Sequence, residues 1–253
     1  MGGNPFCPDL KGKVAVVTGG SRGLGREMVL GLAAAGADVV IASRKLPACE
    51  QVATEVVETH GRRALPVAFH VGRWEQAGEL VERVYDHFGR VDVLVNNAGM
   101  SPTYSSVAEV SEELFDKVLG VNLKGPFRLT ALIGSRMARE GGGSIVNVSS
   151  MGAVKPRGDI LPYAAAKAGL NALTVGFARE FGPTVRCNAI MAGTFLTDVS
   201  KAWDSEAFAA RAQQFALRRG GRPEEIVGTA LYLASDASSF TTGAVIPVDG
   251  GQP

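Results

Sequence analysis

Seven short apolar runs, rich in β-branched residues, recur along this chain, and most are separated by segments of helical period and crossover length. They are Val14–Thr18, Asp38–Ala42, Leu65–Phe69, Val91–Val95, Ser144–Val148, Val185–Ile190 and Ala244–Val248. A run this apolar is a stable strand when both of its faces are buried. Strand–helix units at that spacing close as right-handed parallel crossovers. The expected fold is therefore α/β: a doubly wound parallel sheet of about seven strands with helices on both faces. Pro66 and Pro247 fall inside two of the runs and cannot donate to a ladder, which directs those strands to an edge or their ends. No linker, repeat or low-complexity tract divides the 253 residues. Residues 1–9 read as an N-terminal tail and 10–253 as a single domain.

Composition removes several function classes. Twenty-six Lys and Arg against 25 Asp and Glu leave a formal charge of +1 without a basic stripe, so no nucleic-acid partner is expected. Cys7, Cys49 and Cys187 are odd in number and lack paired spacing, which points away from a disulfide framework and from a metal site. No stretch approaches 18 uncharged apolar residues, and the N-terminus lacks a secretory pattern, so a cytoplasmic protein with no membrane partner is expected. After the sixth run, the long interval to Ala244 predicts a helix over Ser205–Leu217 and another starting at Pro223. The stretch at about 193–217 is placed to form a substrate lid.

The first strand runs into Thr18-Gly-Gly-Ser-Arg-Gly-Leu-Gly25 and then directly into a helical pattern that stops at Gly36. Glycines at 19, 23 and 25 give G-x-x-x-G-x-G, a variant of the Rossmann-type dinucleotide fingerprint. Such a turn lets backbone N–H groups and a helix N-terminus approach a pyrophosphate. Gly19, Ser21, Arg22, Gly23, Leu24 and Gly25 are thus the candidate cradle. NAD-dependent enzymes of this architecture place a carboxylate at the end of the second strand. Here that position reads Ser43-Arg44-Lys45, and Asp38 lies at the strand's other end. With Arg44 and Arg22 available to a 2′-phosphate, NADP(H) is the expected cofactor over NAD(H). The competing reading is that Arg44 and Lys45 only solvate the next helix.

Tyr163 and Lys167 stand four residues apart in the first turns of a helix started by Pro162, so both side chains share one face. An ammonium beside a phenol stabilises the phenolate and suits it to proton transfer. With this pair in place, the chain resembles the short-chain dehydrogenase/reductase family from about Leu10 to Gly251. The resemblance rests on Thr18-Gly-x-x-x-Gly-x-Gly25, Asn96-Asn-Ala-Gly99, Asn122 in Val-Asn-Leu-Lys-Gly125, Ser149-Ser150, Tyr163-x-x-x-Lys167, Arg186-x-Asn188 and Thr242-Gly-x-x-x-x-x-Asp-Gly-Gly251.

The resemblance implies an NADP(H)-dependent oxidoreductase that exchanges a hydride with a small-to-medium carbonyl or alcohol substrate. Tyr163 is then the general acid/base, Lys167 binds the nicotinamide ribose and lowers the tyrosine pKa, and Ser150 donates to the substrate oxygen. Asn122 positions a water that links Lys167 to solvent. Asn97, Ala98 and Gly99 support the adenosine side of the cleft, while Gly193 and Thr197 reach the cofactor from the lid. His70 and Val71 end the third strand, where relatives usually carry Asp against the adenine. Met191-Ala-Gly193 replaces a common Pro-Gly. A homotetramer is also implied, and the apolar Ala244–Val248 run agrees with one. NAD(H)-dependent alcohol or sugar-acid dehydrogenases and 3-oxoacyl thioester reductases share the pattern. A nucleotide-sensing regulator or a scaffolding protein would normally have lost part of the catalytic set. The expected substrate pocket is largely apolar, walled by Met100, Tyr104, Met151, Leu161, Phe195, Leu196 and Trp203, with no clustered cations.

Overall fold

The computed structural model describes residues 8–198, 200 and 205–253. Its strands are β1 (Val14–Thr18), β2 (Asp38–Ser43), β3 (Ala64–Ala68), β4 (Val93–Asn96), β5 (Gly143–Ser150), β6 (Val185–Ala192) and β7 (Val245–Val248). All pair in parallel in the order β3-β2-β1-β4-β5-β6-β7. Pro66 and Pro247 lie within β3 and β7, the two edge strands, where a missing donor leaves one side of the ladder intact. The other sequence runs differ from the strands by one or two terminal residues. β5 and β6 extend past the apolar runs to Ser150 and Ala192.

Alternation along β1 shows why the strands are apolar throughout. Ala15 and Val17 enter one core with Met28, Leu32, Val52 and Leu233, while Val14 and Val16 enter the other with Leu80, Val84, Leu129 and Ile133. Successive residues of a strand point to opposite faces, so two cores demand two apolar sets. Burying one such side chain contributes about 1.5–3 kcal/mol. The first core is covered by α1 (Gly23–Ala34), α2 (Leu46–His60) and α8 (Val227–Ala234). The second lies under α3 (Trp74–Phe88), α5 (Gly125–Arg139) and the end of α6 (Leu161–Glu180). A short α4 (Glu112–Leu119) joins α5 through a π-helical turn at Gly120–Lys124. Among the described residues no helix is long and apolar enough to cross a membrane.

The helix expected over Ser205–Leu217 is shorter: α7 ends at Ala212. Gln214 and Phe215 turn through N–H bonds to Arg211 and Ala212. The N–H groups of Ala216 and Leu217 donate to Gly251 and Gly250. Pairing with the C-terminal segment takes those groups out of the helix ladder, a long-range effect that helical periodicity does not carry. The helix expected from Pro223 starts as a 3₁₀ turn over Pro223–Ile226 and continues as α8. Leu10 is the first fully buried residue of the described chain, its N–H bonded to the Ala35 carbonyl. Cys7 and most of the 1–9 tail lie outside the described residues.

Candidate active site

The carboxyl ends of β1 and β4 adjoin at the point where successive connections leave the sheet in opposite directions, the place where such sheets bind ligands. The glycine turn leaves β1 there. Its cap residue, Arg22, is extended and offers no side-chain cap, so the first N–H groups of α1 keep free donors at the positive end of the helix dipole. A Cβ at Gly25 would lie 2.2 Å from the Gly19 carbonyl oxygen and 2.4 Å from Asn97 Nδ2. Gly23 takes a φ of +52°, in the left-handed region that favours glycine. Asn97 Nδ2 donates to the Thr18 and Gly19 carbonyls at 2.9 and 3.3 Å, and Thr18 Oγ1 accepts from the N–H groups of Asn97 and Ala98. The turn is thereby a built concavity with unfilled donors, a shape that fits a dinucleotide pyrophosphate.

The end of β2 closes one side of this concavity. Ser21 Oγ donates to Ser43 Oγ at 3.0 Å, which ties the glycine turn to the end of β2, and Arg22 and Arg44 are the residues that follow these two serines. Both are exposed, and neither guanidinium makes a hydrogen bond or ion pair among the described residues. Asp38 is far from that rim: its carboxylate takes 2.7 Å bonds from Arg62 and Arg63 at the other end of the strand. Val71 is buried beside the π-helical turn, with its carbonyl on Gly125, and His70 Nδ1 accepts from the Gly72 N–H.

Four side chains meet on the other side of the crevice. Ser150 ends β5, and its hydroxyl accepts from the Gly152 N–H at 3.1 Å; a Cβ on Gly152 would touch both the Ser150 hydroxyl, at 3.4 Å, and the Tyr163 ring, at 3.6 Å. Ser149 points the opposite way, with its hydroxyl on the Lys167 carbonyl, as strand alternation requires. Lys167 is buried, its Nζ donates to the Val148 carbonyl at 2.7 Å, and it stands 5.8 Å from the centre of the Tyr163 ring. Burial pushes the Lys167 amine down to about 8. It also pushes the Tyr163 phenol up, and the Ser150 hydroxyl offsets only part of this. Asn122 is fully buried in the π-helical turn: Nδ2 donates to the Met100 and Val118 carbonyls, and Oδ1 accepts from the Met100 N–H. Its carbonyl would lie 3.0 Å from a Cβ on Gly99, and Lys167 Nζ would lie 3.7 Å from it.

Thr197 from the lid stands against Gly23, with Cγ2 3.5 Å from where a Cβ would be. Gly193 packs on Asp249 and donates to the Val248 carbonyl. The expected apolar wall holds only in part. Phe195 and Met151 are buried, Phe195 in the core and against Gly221, so neither offers a free wall. Tyr104 uses its hydroxyl to bind the Gly158 carbonyl and the Leu161 N–H. Leu161 and Leu196 are exposed, and Trp203 lies outside the described residues. Lys155 and Arg211 are joined through Gln252 and Thr194 just beyond the end of β6, and Arg157 lies near Arg211. The sequence analysis also passed over Thr18 and Asn147 as supports. Polarity within an otherwise apolar strand was their available signal.

A doubly wound sheet with a glycine cradle and a Ser–Tyr–Lys cluster across its crevice defines an oxidoreductase that uses a nicotinamide cofactor. A family profile described as Enoyl-(Acyl carrier protein) reductase matches residues 19–252. The chain is 40% identical over 259 residues to the short chain dehydrogenase/reductase astE of Aspergillus oryzae, covering 99% of this chain and 98% of that one. It is 36% identical over 243 residues to the 3-oxoacyl-[acyl-carrier-protein] reductase FabG of Thermotoga maritima, covering 96% and 98%. The structure of an NADPH-dependent 3-quinuclidinone reductase from Rhodotorula rubra superposes with a TM-score of 0.93 at 29% identity, over 100% of this chain and 96% of that one. The chain belongs to the short-chain dehydrogenase/reductase family and is an enzyme acting on CH–OH and C=O groups.

The buried ammonium gives a stability prediction. The unfolded chain holds the Lys167 proton up to about 10.5, whereas the folded protein releases it near 8. Folding is therefore opposed in full below the lower value, and the penalty fades as pH rises through the window. Lys167→Met should raise Tm at pH 7 by at least about 2–4 °C, the shift made by roughly 1 kcal/mol in a chain of this size. The gain should vanish above about 10.5. Calorimetric scans of both proteins across that range measure it.

Proposed function

We propose that this enzyme is an NADP(H)-dependent oxidoreductase of small-to-medium carbonyl and alcohol compounds, with Tyr163 as its general acid/base. The observation that carries the reading is the juxtaposition of the Ser150 hydroxyl and the Tyr163 ring beside buried Lys167. Bound nicotinamide supplies the hydride in reduction and accepts it in oxidation. In reduction, the Tyr163 hydroxyl delivers its proton to the oxygen of the carbonyl as negative charge develops there, and the Ser150 hydroxyl donates a hydrogen bond to the same oxygen. Lys167 spends one donor on the Val148 carbonyl, which leaves two N–H groups for ribose hydroxyls. Their charge favours the phenolate left on Tyr163. Asn122 fixes the Gly99–Met100 backbone against which a relay water would return the proton from solvent.

The cradle of Gly19, Ser21, Arg22, Gly23, Leu24 and Gly25 would take the pyrophosphate. Ser43 and Arg44 with Arg22 would take a 2′-phosphate, and His70, Val71 and Asn97–Gly99 would border the adenosine. Gly193 and Thr197 would border the nicotinamide half from the lid. The absence of a carboxylate beside the Ser21–Ser43 bond supports NADP(H) over NAD(H). So does the NADPH dependence of the similar Rhodotorula rubra reductase. We also propose a cytoplasmic homotetramer, which the exposed Phe115, Phe127 and Phe240 support.

Three measurements test these assignments. Tyr163→Phe should retain dinucleotide affinity and lose roughly 10²–10⁴ in kcat, the cost of removing a positioned proton donor. A loss below about threefold would show that another group is the acid. Arg44→Ala should weaken NADPH about 10- to 150-fold and leave NADH nearly unaffected, while Ser43→Asp shifts preference towards NADH. Fluorescence titrations at one salt concentration read both, and equal losses for the two nucleotides would return Arg44 to a solvating role. Sedimentation velocity at micromolar concentration should give a tetramer, and a monomer alone would overturn that assignment.

A further inference from the structure

Two neighbouring cations and a third distant in sequence are brought together just beyond the end of β6. Lys155 and Arg157 lie on the connection from Ser150 to α6, and Arg211 lies on α7. Arg211 Nη2 donates to Thr194 Oγ1 at 3.1 Å, Thr194 Oγ1 donates to Gln252 Oε1 at 3.0 Å, and Lys155 Nζ donates to the Gln252 carbonyl at 3.1 Å. Thr194 stands two residues beyond Ala192, the register partner of Ser150. The chain of bonds thus crosses the same sheet edge that carries Ser150 and Tyr163.

The charges in this cluster are unevenly compensated. Arg157 forms a two-pronged pair with Asp159, and Lys155 rests on a neutral carbonyl. Among the described residues no carboxylate pairs with Arg211. Its Nε is buried without any acceptor. Burial and the nearby charge of Arg157 both disfavour the Arg211 cation. A buried guanidinium N–H is among the costliest donors to leave unmade, and a like charge beside it adds to the cost. An anion set between the two guanidinium groups would relieve both. One uncompensated guanidinium matches a single negative charge, and its planar fork matches the two oxygens of a carboxylate.

We propose that Arg211, with Arg157 beside it, binds a carboxylate on the substrate, so that the enzyme acts on oxo acids and hydroxy acids. The proposal rests on the reading of Ser150 and Tyr163 as the reacting pair, because their carbonyl and this carboxylate belong to one molecule. Arg211 is then the specificity-determining residue.

The test uses the full chain and NADPH with short- and medium-chain oxo acids, each paired with its neutral methyl ester. Wild type should prefer at least one acid to its ester in kcat/KM. In Arg211→Met the acid-to-ester ratio should fall about 10- to 150-fold, the worth of a charge-assisted contact, with partial recovery in Arg211→Lys. Arg157→Gln, which leaves the Arg211–Thr194 bond in place, should lower the same ratio and serves if Arg211→Met does not fold. Equal acid and ester turnover in wild type, or a ratio unchanged in both variants, would overturn the proposal. Calorimetric titration of the acids into NADP⁺-saturated protein separates this from the reading beneath it. Acid binding that weakens in the variants, with no turnover of any pair in wild type, would support the anion site while removing the oxidoreductase assignment. Neither binding nor turnover of any acid would overturn the site itself.

Discussion

The seam between β1 and β4 holds the site together. At their carboxyl ends the Thr18 hydroxyl donates to the Val95 carbonyl and accepts from the N–H groups of Asn97 and Ala98, and Asn97 returns its amide to the Thr18 and Gly19 carbonyls. The crossovers leave the crevice uncovered at this point, so its polar backbone groups need partners from within the edge itself. These bonds set the path of the glycine turn. The turn in turn allows the 2.2 Å approach at Gly25 that no side chain would permit, and so sets where the free donors of α1 point. Asn97, 79 residues along the chain from Thr18, thus shapes a concavity formed by Gly19 to Gly25.

A second polar system holds the other half. Asn96 donates to Thr130 and Asn147, Asn147 donates to Thr174, and Thr174 bonds back to the Leu170 carbonyl in α6, all of them buried. This ladder fixes α6, which carries Tyr163 and Lys167, against the sheet that carries Ser150. Hydrophobic packing alone is non-directional and would leave the helix free to shift along the sheet face. Arg186 and Asn188 serve a similar purpose at β6: Arg186 binds the Leu233 and Ser235 carbonyls, and Asn188 binds the Thr241 carbonyl and the Ala244 N–H. The protein therefore uses directional bonds where register matters for chemistry. It accepts the burial penalty of Lys167 at the same place, a local loss of stability of the sort that functional sites commonly carry.

Much of this was legible in the residues. Uninterrupted apolar runs required two cores, the prolines marked the two edge strands, and the order of the glycine turn, Ser150, Tyr163 and Lys167 located the crevice and its contents. Where expectation and structure part, long-range pairing is the cause. The helix does not run on to Leu217 because the C-terminal segment takes the N–H groups of Ala216 and Leu217, and Phe195 is core because Gly221 makes room for its ring. The clustering of Lys155, Arg157 and Arg211 had no local signal at all.

The sequence by itself determined the layer architecture, the positions of the glycine turn and of the Ser150, Tyr163 and Lys167 set, and the missing carboxylate at the end of β2. Each of these follows from a local property: apolar period, glycine spacing, or a four-residue step on one helix face. Only the tertiary structure decided that Lys167 is buried enough to lose its proton near 8, and that Arg211 comes beside Arg157 with a buried donor unfilled. Those properties depend on desolvation and on contacts between residues tens of positions apart, and both arise only once the sheet, its helices and the C-terminal segment have closed on one another.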